Sequence, residues 1–378
     1  MRIILKVSTV AVVLIASRAD ARTWSIYPDG SGDAPTIQAG IDSATTGDSL
    51  LISPGVYDEN LNTHGKGLAL LGTGAPELTV VDGGARARVL LLDSGGVVEC
   101  LTLRNGYASS PNDLGGGIFL NGSGPITVRN NIIENNTSEP SGGGGIASGG
   151  FVTQDIVIES NVVRGNTTPT AGGGILIGNN AAGASKLYCR SNRVYDNFAG
   201  EQGGGIACNN AIVADNVVVN NTASITGGGI SAGGNDGGEI SHNTVAFNHT
   251  ENMTLNGAGI SASVNVAITN NLIVGNHGSE ITPSGAGIHC FSTIPRCNLL
   301  WQNDFNTDWC ATDPSNLSQV PDFCATDPLT SMNFFIQSDS PCAPHGPCGL
   351  IGALPVGCGT TDVQMQTTTW SAFKHSYR

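Results

Sequence analysis

The sequence predicts an all-β protein: a single right-handed parallel β-helix with a short N-terminal capping helix and a Cys-rich C-terminal cap. Three observations predict this fold. A glycine phrase repeats along the chain, an asparagine phrase repeats at the same period, and β-branched residues stand in fixed columns between them. No repeat unit shows a sustained helical period, so each coil is expected to consist of several short strands.

The glycine phrase reads Gly-Gly-Gly-Ile, and in its last two copies the second glycine is replaced by alanine, giving Gly-Ala-Gly-Ile. The copies begin at Gly115, Gly143, Gly172, Gly203, Gly227, Gly257 and Gly285. Glycine allows positive φ and a close approach of two backbones where a β-carbon would clash. We therefore expect one tight bend of this kind in every coil.

The asparagine phrase reads Asn-x-apolar-x-x-Asn. It begins at Asn131, Asn161, Asn192, Asn216, Asn243, Asn271 and Asn298, so successive starts are 30, 31, 24, 27, 28 and 27 residues apart. Repeats of this period indicate a solenoid, in which each unit stacks only on its neighbours. With ~4.8 Å between coils, stacked corner asparagines are expected to hydrogen-bond one another.

Two apolar columns flank the asparagine phrase. The residue three places before the first Asn is apolar in most units, as at Val128 and Ile240, until Pro295 interrupts the column. The second column stands two places after the first Asn, at Ile133, Val163, Val194, Val218, Val245, Ile273 and Leu300. Stacking of equivalent coils would bury both columns inside the tube.

The chain divides into five predicted segments. A basic end with Arg2 and Lys6, the apolar run 7–17 and Ala19-Asp20-Ala21 indicate a secretory signal peptide at 1–21. An N-terminal cap and first coils follow at 22–106, with a short helix in Thr36–Thr45 that would cover the open end of the tube. The remaining segments are regular repeats at 107–303, a Cys-rich cap at 304–358 and a tail at 359–378.

The net charge and the cysteine content limit the classes of binding partner and the cellular compartment that we expect. Without segment 1–21 the 16 basic residues become 13 and the 30 acidic residues become 29, a net charge of −16. This acidity argues against nucleic acid, an anionic membrane or a polyanionic pectin as a default partner. No later segment is apolar enough to span a membrane. The ten cysteines indicate disulfides in a secreted, extracellular or cell-surface protein, with pairing left open.

Two quoted stretches carry a family resemblance. "IQAGIDSATTGDSLLISPGVYDEN" (37–60) resembles the N-terminal cap and first coil of secreted pectin-lyase-like β-helix proteins, and "NFFIQSDSPCAPHGPCGLIGA" (333–353) resembles their closing segment. The two repeated phrases are also similar to the repeats of polymorphic outer-membrane proteins, which are bacterial adhesins; this allows an association with a bacterial outer membrane. The resemblance implies the fold, but that fold hosts lyases, hydrolases, esterases and non-catalytic surface proteins.

The acidic residues do not form a catalytic pattern in the repeat register. A glycosidase needs two carboxylates ~5 Å or ~6.5–9.5 Å apart, and a calcium-dependent lyase needs clustered acids and a base. Here the columns alternate in sign: Glu159 stands between Arg129 and Arg190, and Glu134 stands beside Arg164. Such opposite charges pair between strands and define register, so we interpret Glu134 and Glu159 as structural.

The other candidates are scattered. Asp196 and Asp215 occupy different repeat positions and are expected on different sides of the tube. Asp236 and Glu239 lie in a Gly-rich turn, and Asp58–His64 suits the turn after a strand. The histidines are expected at the surface or at corners, with His289 facing solvent: His242, His249, His277 and His289. No catalytic residue, cofactor site or metal site is assigned.

Two functions remain open. The first is a non-catalytic exported surface protein that adheres or binds a polysaccharide or a cell-surface glycan, for which a flat side of Asn, Ser and Thr would supply hydrogen bonds. The second is a polysaccharide lyase or glycoside hydrolase with its site in loops 105–117 or 247–259. Three or more carboxylates converging beside a basic residue would favour the enzyme, and evenly spread charge would favour the binding protein.

Overall fold

The computed structural model describes residues 21–110, 114–149, 154–178, 186–234, 237–251, 256–279, 285–291, 293–311 and 313–358. Residues 1–20 of the predicted signal peptide and the tail 359–378 lie outside them, so both assignments remain predictions. The described chain winds into a parallel β-helix with three 10-stranded sheets, A, B and C, and a 6-stranded sheet D.

Within each coil the chain passes through sheets A, B, D and C in turn, and paired strands are parallel. Sheet A comprises Thr23–Ile26, Ser49–Ile52, Leu68–Gly72, Gly96–Glu99, Ile126–Arg129, Ile156–Glu159, Leu187–Arg190, Ile212–Ala214, Gly238–Ser241 and Val266–Thr269. Sheet B comprises Gly55–Tyr57, Thr79–Asp82, Thr102–Arg104, Ile132–Glu134, Val162–Arg164, Arg193–Tyr195, Val217–Val219, Thr244–Ala246, Leu272–Val274 and Leu299–Trp301.

The other two sheets complete the coil. Sheet C comprises Leu61–Asn62, Leu90–Leu92, Ile118–Leu120, Ile146–Ser148, Ile175–Gly178, Ile206–Asn209, Ile230–Gly233, Asn256–Ala262, Gly285–Cys290 and Phe305–Asp308. Sheet D comprises Tyr107–Ala108, Thr137–Ser138, Thr167–Thr168, Phe198–Ala199, Thr222–Ala223 and His249–Thr250. The two predicted apolar columns point into the tube and form its core, as Val128, Ile133 and Val218 show by their complete burial.

Buried asparagine ladders run along the inside of two corners. Asn216 Nδ2 donates to the carbonyl of Cys189 (2.8 Å) and to Asn243 Oδ1 (3.0 Å), while Asn216 Oδ1 accepts from Asn192 N (2.9 Å) and Nδ2 (3.0 Å). The residue before it, Asp215, has φ 58° and makes the corner. The predicted ladders are therefore confirmed, and at this corner the left-handed residue is the one that precedes the ladder asparagine.

Both asparagines of each phrase belong to a ladder. The ladder between sheets A and B contains Asn131, Asn161, Asn192, Asn216, Asn243, Asn271, Asn298 and Asn316. The ladder at the far end of sheet B contains Asn136, Asn166, Asn197, Asn221, Asn248, Asn276 and Asn303. These amides bond one another inside the tube, so the asparagines of the phrase do not line its outer surface.

The glycine phrase forms the predicted bend. Gly203 has φ +65°, and a β-carbon on Gly204 would lie 2.4 Å from Thr222 O and 2.5 Å from Gly228 O. No side chain fits between these carbonyl groups, so the phrase allows adjacent coils to approach at this point.

The N-terminal end is covered by the predicted helix. Helix α1 (Ile37–Ser43) begins after Thr36, whose side chain accepts from Ala39 N (3.1 Å). The carboxylate of Glu59 accepts from the backbone N–H of Ile37 and of Gln38, both at 2.9 Å. These bonds satisfy N–H groups that the first turn leaves free.

The C-terminal residues cover the outer face of sheet B. The segment 323–358, which we name the strap, contains helix α2 (Pro328–Ser331) and buries Phe334 and Ile351 against Val219 and Leu272. Gly352 N donates to Asn270 O (2.8 Å). The outward column of sheet B is apolar in these coils because the strap packs on it.

Three disulfides lie in the C-terminal region, as predicted: Cys290–Cys310, Cys297–Cys348 and Cys324–Cys358. The second ties the strap to a corner of the tube. Four of the ten cysteines are unpaired: Cys100, Cys189, Cys208 and Cys342. Burial raises the pKa of Cys208 and of Cys342 to about 12, so these thiols are protonated at neutral pH.

We expect Asn216→Ala to lower the free energy of unfolding by about 3 kcal/mol, because it leaves buried groups on two neighbouring coils without partners. Urea unfolding checks this. The matched control is Asn209→Ala, whose side chain is exposed on sheet C. Equal losses in the two variants would contradict a structural role for the ladder.

We expect Phe334→Ala to lower the free energy of unfolding by about 3–5 kcal/mol, because the substitution opens a cavity under the strap. Phe334 is fully buried, and its ring lies 5.6 Å from that of Phe323 and 6.4 Å from that of Phe247. Thermal unfolding compares it with Val320→Ala, a half-exposed position just before the strap. A loss no larger than that of the control would show that the strap does not stabilise the tube.

Candidate ligand site on sheet C

The predicted ion-pair columns are present on the outside of sheets A and B. Arg164 Nη2 lies 2.6 Å from Glu134 Oε2, and Arg190 Nη2 lies 3.0 Å from Glu159 Oε2. Arg129 pairs with Glu99 (2.7 Å). Each pair joins adjacent coils, so Glu134 and Glu159 stabilise register as the sequence predicts.

The other carboxylate candidates are not brought together. Asp196 accepts from Asn220 Nδ2 (2.6 Å) and lies at the far corner of sheet B, whereas Asp215 lies at the corner between sheets A and B. Partial burial raises the pKa of Asp215. The nearby charges of His242 and Arg190 act in the opposite direction but do not cancel this effect. Asp236 lies outside the described residues.

The Asp58–His64 stretch serves the N-terminal cap. Asp58 pairs with Arg86, and Glu59 caps helix α1. Leu61–Asn62 is the first strand of sheet C, so this stretch is not simply a turn.

The outer face of sheet C carries a column that changes character along the tube. Its members are in register on successive coils: Phe119, Ala147, Leu176, Ala207, Ser231, Ser261, His289 and Asp308. The first four are apolar and the last four are polar. The polar groups therefore collect at the C-terminal end of this face.

His289 is buried, so the expectation that it faces solvent is wrong. Its Nδ1 lies 2.7 Å from Asp308 Oδ2 on the next coil, and the two side chains are 8% and 15% exposed. The ring of Phe291 packs edge to face on it at 5.0 Å. His289 does point outward from sheet C, but these two neighbours cover it.

Phe291 and Trp309, which we name the aromatic pair, form an exposed surface beside this histidine. Their ring centroids are 6.0 Å apart, and the residues are 47% and 71% exposed. Phe291 directly follows Cys290 and Trp309 directly precedes Cys310, so one disulfide fixes both positions. Trp309 also has φ 59°, a left-handed conformation that a bulky residue rarely adopts.

A second histidine–aspartate pair lies at the start of the same coil. His277 Nδ1 lies 2.9 Å from Asp304 Oδ1, and Asp304 Oδ2 accepts from Gly278 N (2.7 Å) and Gly285 N (3.0 Å). Burial acts to raise the pKa of Asp304, but these hydrogen bonds outweigh it and hold the pKa below its usual value. His277 is exposed, as predicted.

The loops proposed for an enzyme site show no converging acids in their described parts. In 105–110 Asn105 donates to Asp82 and Tyr107 donates to Glu139 (3.1 Å); residues 111–113 and 252–255 lie outside the described residues. Across the described part of the chain, no three His, Cys, Asp or Glu residues lie close enough to hold a metal ion. No helix there is long and apolar enough to cross a membrane.

Sequence reasoning did not select the aromatic pair. The available signal was the placement of a tryptophan and a phenylalanine directly beside cysteines, in a chain with only 4 Trp and 5% aromatic residues. The pairing of Cys290 with Cys310, which brings the two rings together, was not deducible from spacing.

Comparisons with known proteins agree with the fold. A family model described as "Right handed beta helix region" matches residues 87–211. The crystal structure of pectate lyase Pel9A superposes with a TM-score of 0.55 at 14% identity, covering 90% of this chain and 97% of that one. The complex of XylC with xylose gives 0.46 at 10% identity, covering 76% and 70%. No curated protein matches by sequence. The family match over residues 87–211 and the superposition with the pectate lyase thus show that the chain has the fold of a right-handed parallel β-helix repeat protein of pectin-lyase-like type.

Proposed function

We propose that this protein is exported and binds carbohydrate without transforming it, as a surface or extracellular matrix protein. The aromatic pair carries the proposal. The exposed rings of Phe291 and Trp309 provide apolar faces on which the C–H faces of sugar rings stack. The neighbouring side chains of Ser261 and Asp308, which are only partly buried, are suited to bond sugar hydroxyls.

Rigidity supports a binding role for this surface. The Cys290–Cys310 disulfide and the His289–Asp308 hydrogen bond hold the last two coils together beneath the aromatic pair. A surface ordered before binding loses less conformational entropy when a ligand arrives. Three disulfides also suit an oxidising, extracellular location.

The distribution of acids favours binding over catalysis. Glu134, Glu159 and Asp304 are each held by a basic partner or a histidine in the described structure. A glycosidase instead keeps two carboxylates opposed across the scissile bond. The fold shared with pectate lyase Pel9A is compatible with either activity.

We expect Trp309→Ala to weaken binding to soluble polysaccharides at least tenfold, because it removes the larger stacking surface. Affinity electrophoresis of the secreted chain checks this, with Tyr27→Ala as an exposed aromatic control at the other end of the tube. Reducing-sugar release and unsaturated-product absorbance are read on every polymer that binds. Turnover would favour the lyase or hydrolase, and unchanged retardation of Trp309→Ala would contradict the proposed surface.

The double variant Cys290→Ser/Cys310→Ser should weaken the same binding by about three- to tenfold, since the rings lose their fixed spacing. Hydrogen exchange of residues 305–309 is expected to rise in parallel. The double variant Cys324→Ser/Cys358→Ser, which opens a disulfide within the strap, is the control. If both double variants weaken binding equally, the Cys290–Cys310 disulfide has no specific role at the aromatic pair.

A further inference from the structure

The segment that carries the aromatic pair is short of positive charge. Residues 256–322, which precede the strap, contain one arginine, Arg296, and no lysine. The same residues contain five acids: Glu280, Asp304, Asp308, Asp313 and Asp322. With histidines neutral, this segment carries a formal charge of −4, one minus five.

The single arginine is already paired. Arg296 Nε lies 3.3 Å from Asp313 Oδ2. Recognition of a carboxylate, sulfate or phosphate on a ligand uses Arg or Lys donors, and the described residues around Phe291 and Trp309 offer none beyond this arginine.

Three acids stand close to Trp309 in the sequence, and two of them have a lowered pKa. Hydrogen bonds from the side chain and backbone of Ser315 lower the pKa of Asp313, and the bonds from His277, Gly278 and Gly285 lower that of Asp304. Asp308, which directly precedes Trp309, accepts a hydrogen bond from His289. The bonds to Asp304 and Asp313 favour the charged form of those two carboxylates.

The part of the chain that the structure describes offers no cation site through which an acidic glycan could bind. Calcium prefers six to eight oxygen ligands, and in the described residues no group of three acids, histidines or cysteines has the spacing to hold a metal ion. Asp304 and Asp308 are each engaged by a histidine, which leaves them unsuited to bridge a uronate through calcium.

Building on the proposed carbohydrate binding, we infer that the aromatic pair takes uncharged polysaccharides and excludes polyuronates. Stacking on Phe291 and Trp309 needs only the C–H faces of the sugar. Neutral polysaccharides therefore meet no charge repulsion at this surface. A polyuronate brings one carboxylate per residue against the carboxylate of Asp308, which directly precedes Trp309 and contacts His289 beside Phe291. Like charges repel over about one Debye length, ~10 Å at 0.1 M salt. Repulsion then opposes stacking.

Affinity electrophoresis tests the inference directly. The probes are hydroxyethylcellulose, mixed-linkage β-glucan and galactomannan as neutral polymers, with polygalacturonate and alginate as acidic ones, each run with calcium and with EDTA. We expect retardation by at least one neutral polymer, lost in Trp309→Ala, and none by the acidic polymers in either buffer. Retardation by an acidic polymer equal to or stronger than by the neutral ones would overturn the inference while leaving carbohydrate binding intact.

A variant with an added positive charge tests whether local negative charge causes the exclusion of polyuronates. Asn306 is exposed on the last strand of sheet C and, two residues before Asp308, projects to the same face. Asn306→Lys should produce measurable retardation by polygalacturonate at low salt, and added salt should abolish that retardation. Asn209→Lys makes the same charge change on the same face at an earlier coil and should have no effect. Equal gains in both variants would indicate nonspecific attraction and count against local exclusion.

The results distinguish a failure of the proposed carbohydrate binding from a failure of the inferred selectivity. Absence of retardation by every polymer, acidic or neutral, would overturn the proposed carbohydrate binding and with it the inference. Acidic binding that survives in Trp309→Ala would place the ligand elsewhere on the tube and contradict both the site and its selectivity.

Discussion

The buried asparagine ladders are the interaction on which the rest of the structure depends. The side-chain amide of an asparagine such as Asn216 forms hydrogen bonds with the coil before it and with the coil after it. These groups are buried inside the tube. An unpaired buried amide is costly, so every coil must place its corner directly above the last. Register is thereby set for all the columns outside the tube as well.

The outer columns follow from this register. Arg164 meets Glu134, and His289 meets Asp308, because their corners are aligned by the ladders inside. The ladder between sheets A and B continues to Asn316, whereas the last strand of sheet C ends at Asp308. Trp309 follows on a coil that has no described neighbour beyond it in sheet C, which is why so large a side chain remains exposed.

The periodic part of the fold was predictable from sequence, because a repeated phrase makes local and long-range structure the same problem. Asn192 and Gly203 have their roles defined by position in a unit, and the capping helix at Ile37 is a local pattern. The strap was not foreseen, although the outward residues Val219 and Val274 are apolar where earlier coils carry Glu134 and Arg164. That switch was the available signal for a covering segment.

Burial of His289 could not be predicted, because it depends on pairing that lies outside the repeat. Alternation along the strand correctly places the side chain on the outer face, yet Phe291 and Asp308 come from irregular sequence on either side of it. The sheet register aligns Asp308 with His289, and the Cys290–Cys310 disulfide fixes the ends of the two strands. Ten cysteines permit too many pairings for spacing to select that bond.

The same chemistry that stabilises the tube bears on what its surface can do. Catalysis on glycans usually draws on a carboxylate whose pKa has been raised, or on two carboxylates that share a site. Donors instead lower the pKa of Asp82, Asp304 and Asp313, which are part of hydrogen-bond networks that join adjacent segments. Among the described carboxylates the pKa of Asp215 is raised, but Asp215 lies at the corner between sheets A and B, whereas the aromatic pair belongs to sheet C. Stacking on the exposed rings of that pair is the interaction on which the proposed carbohydrate binding rests.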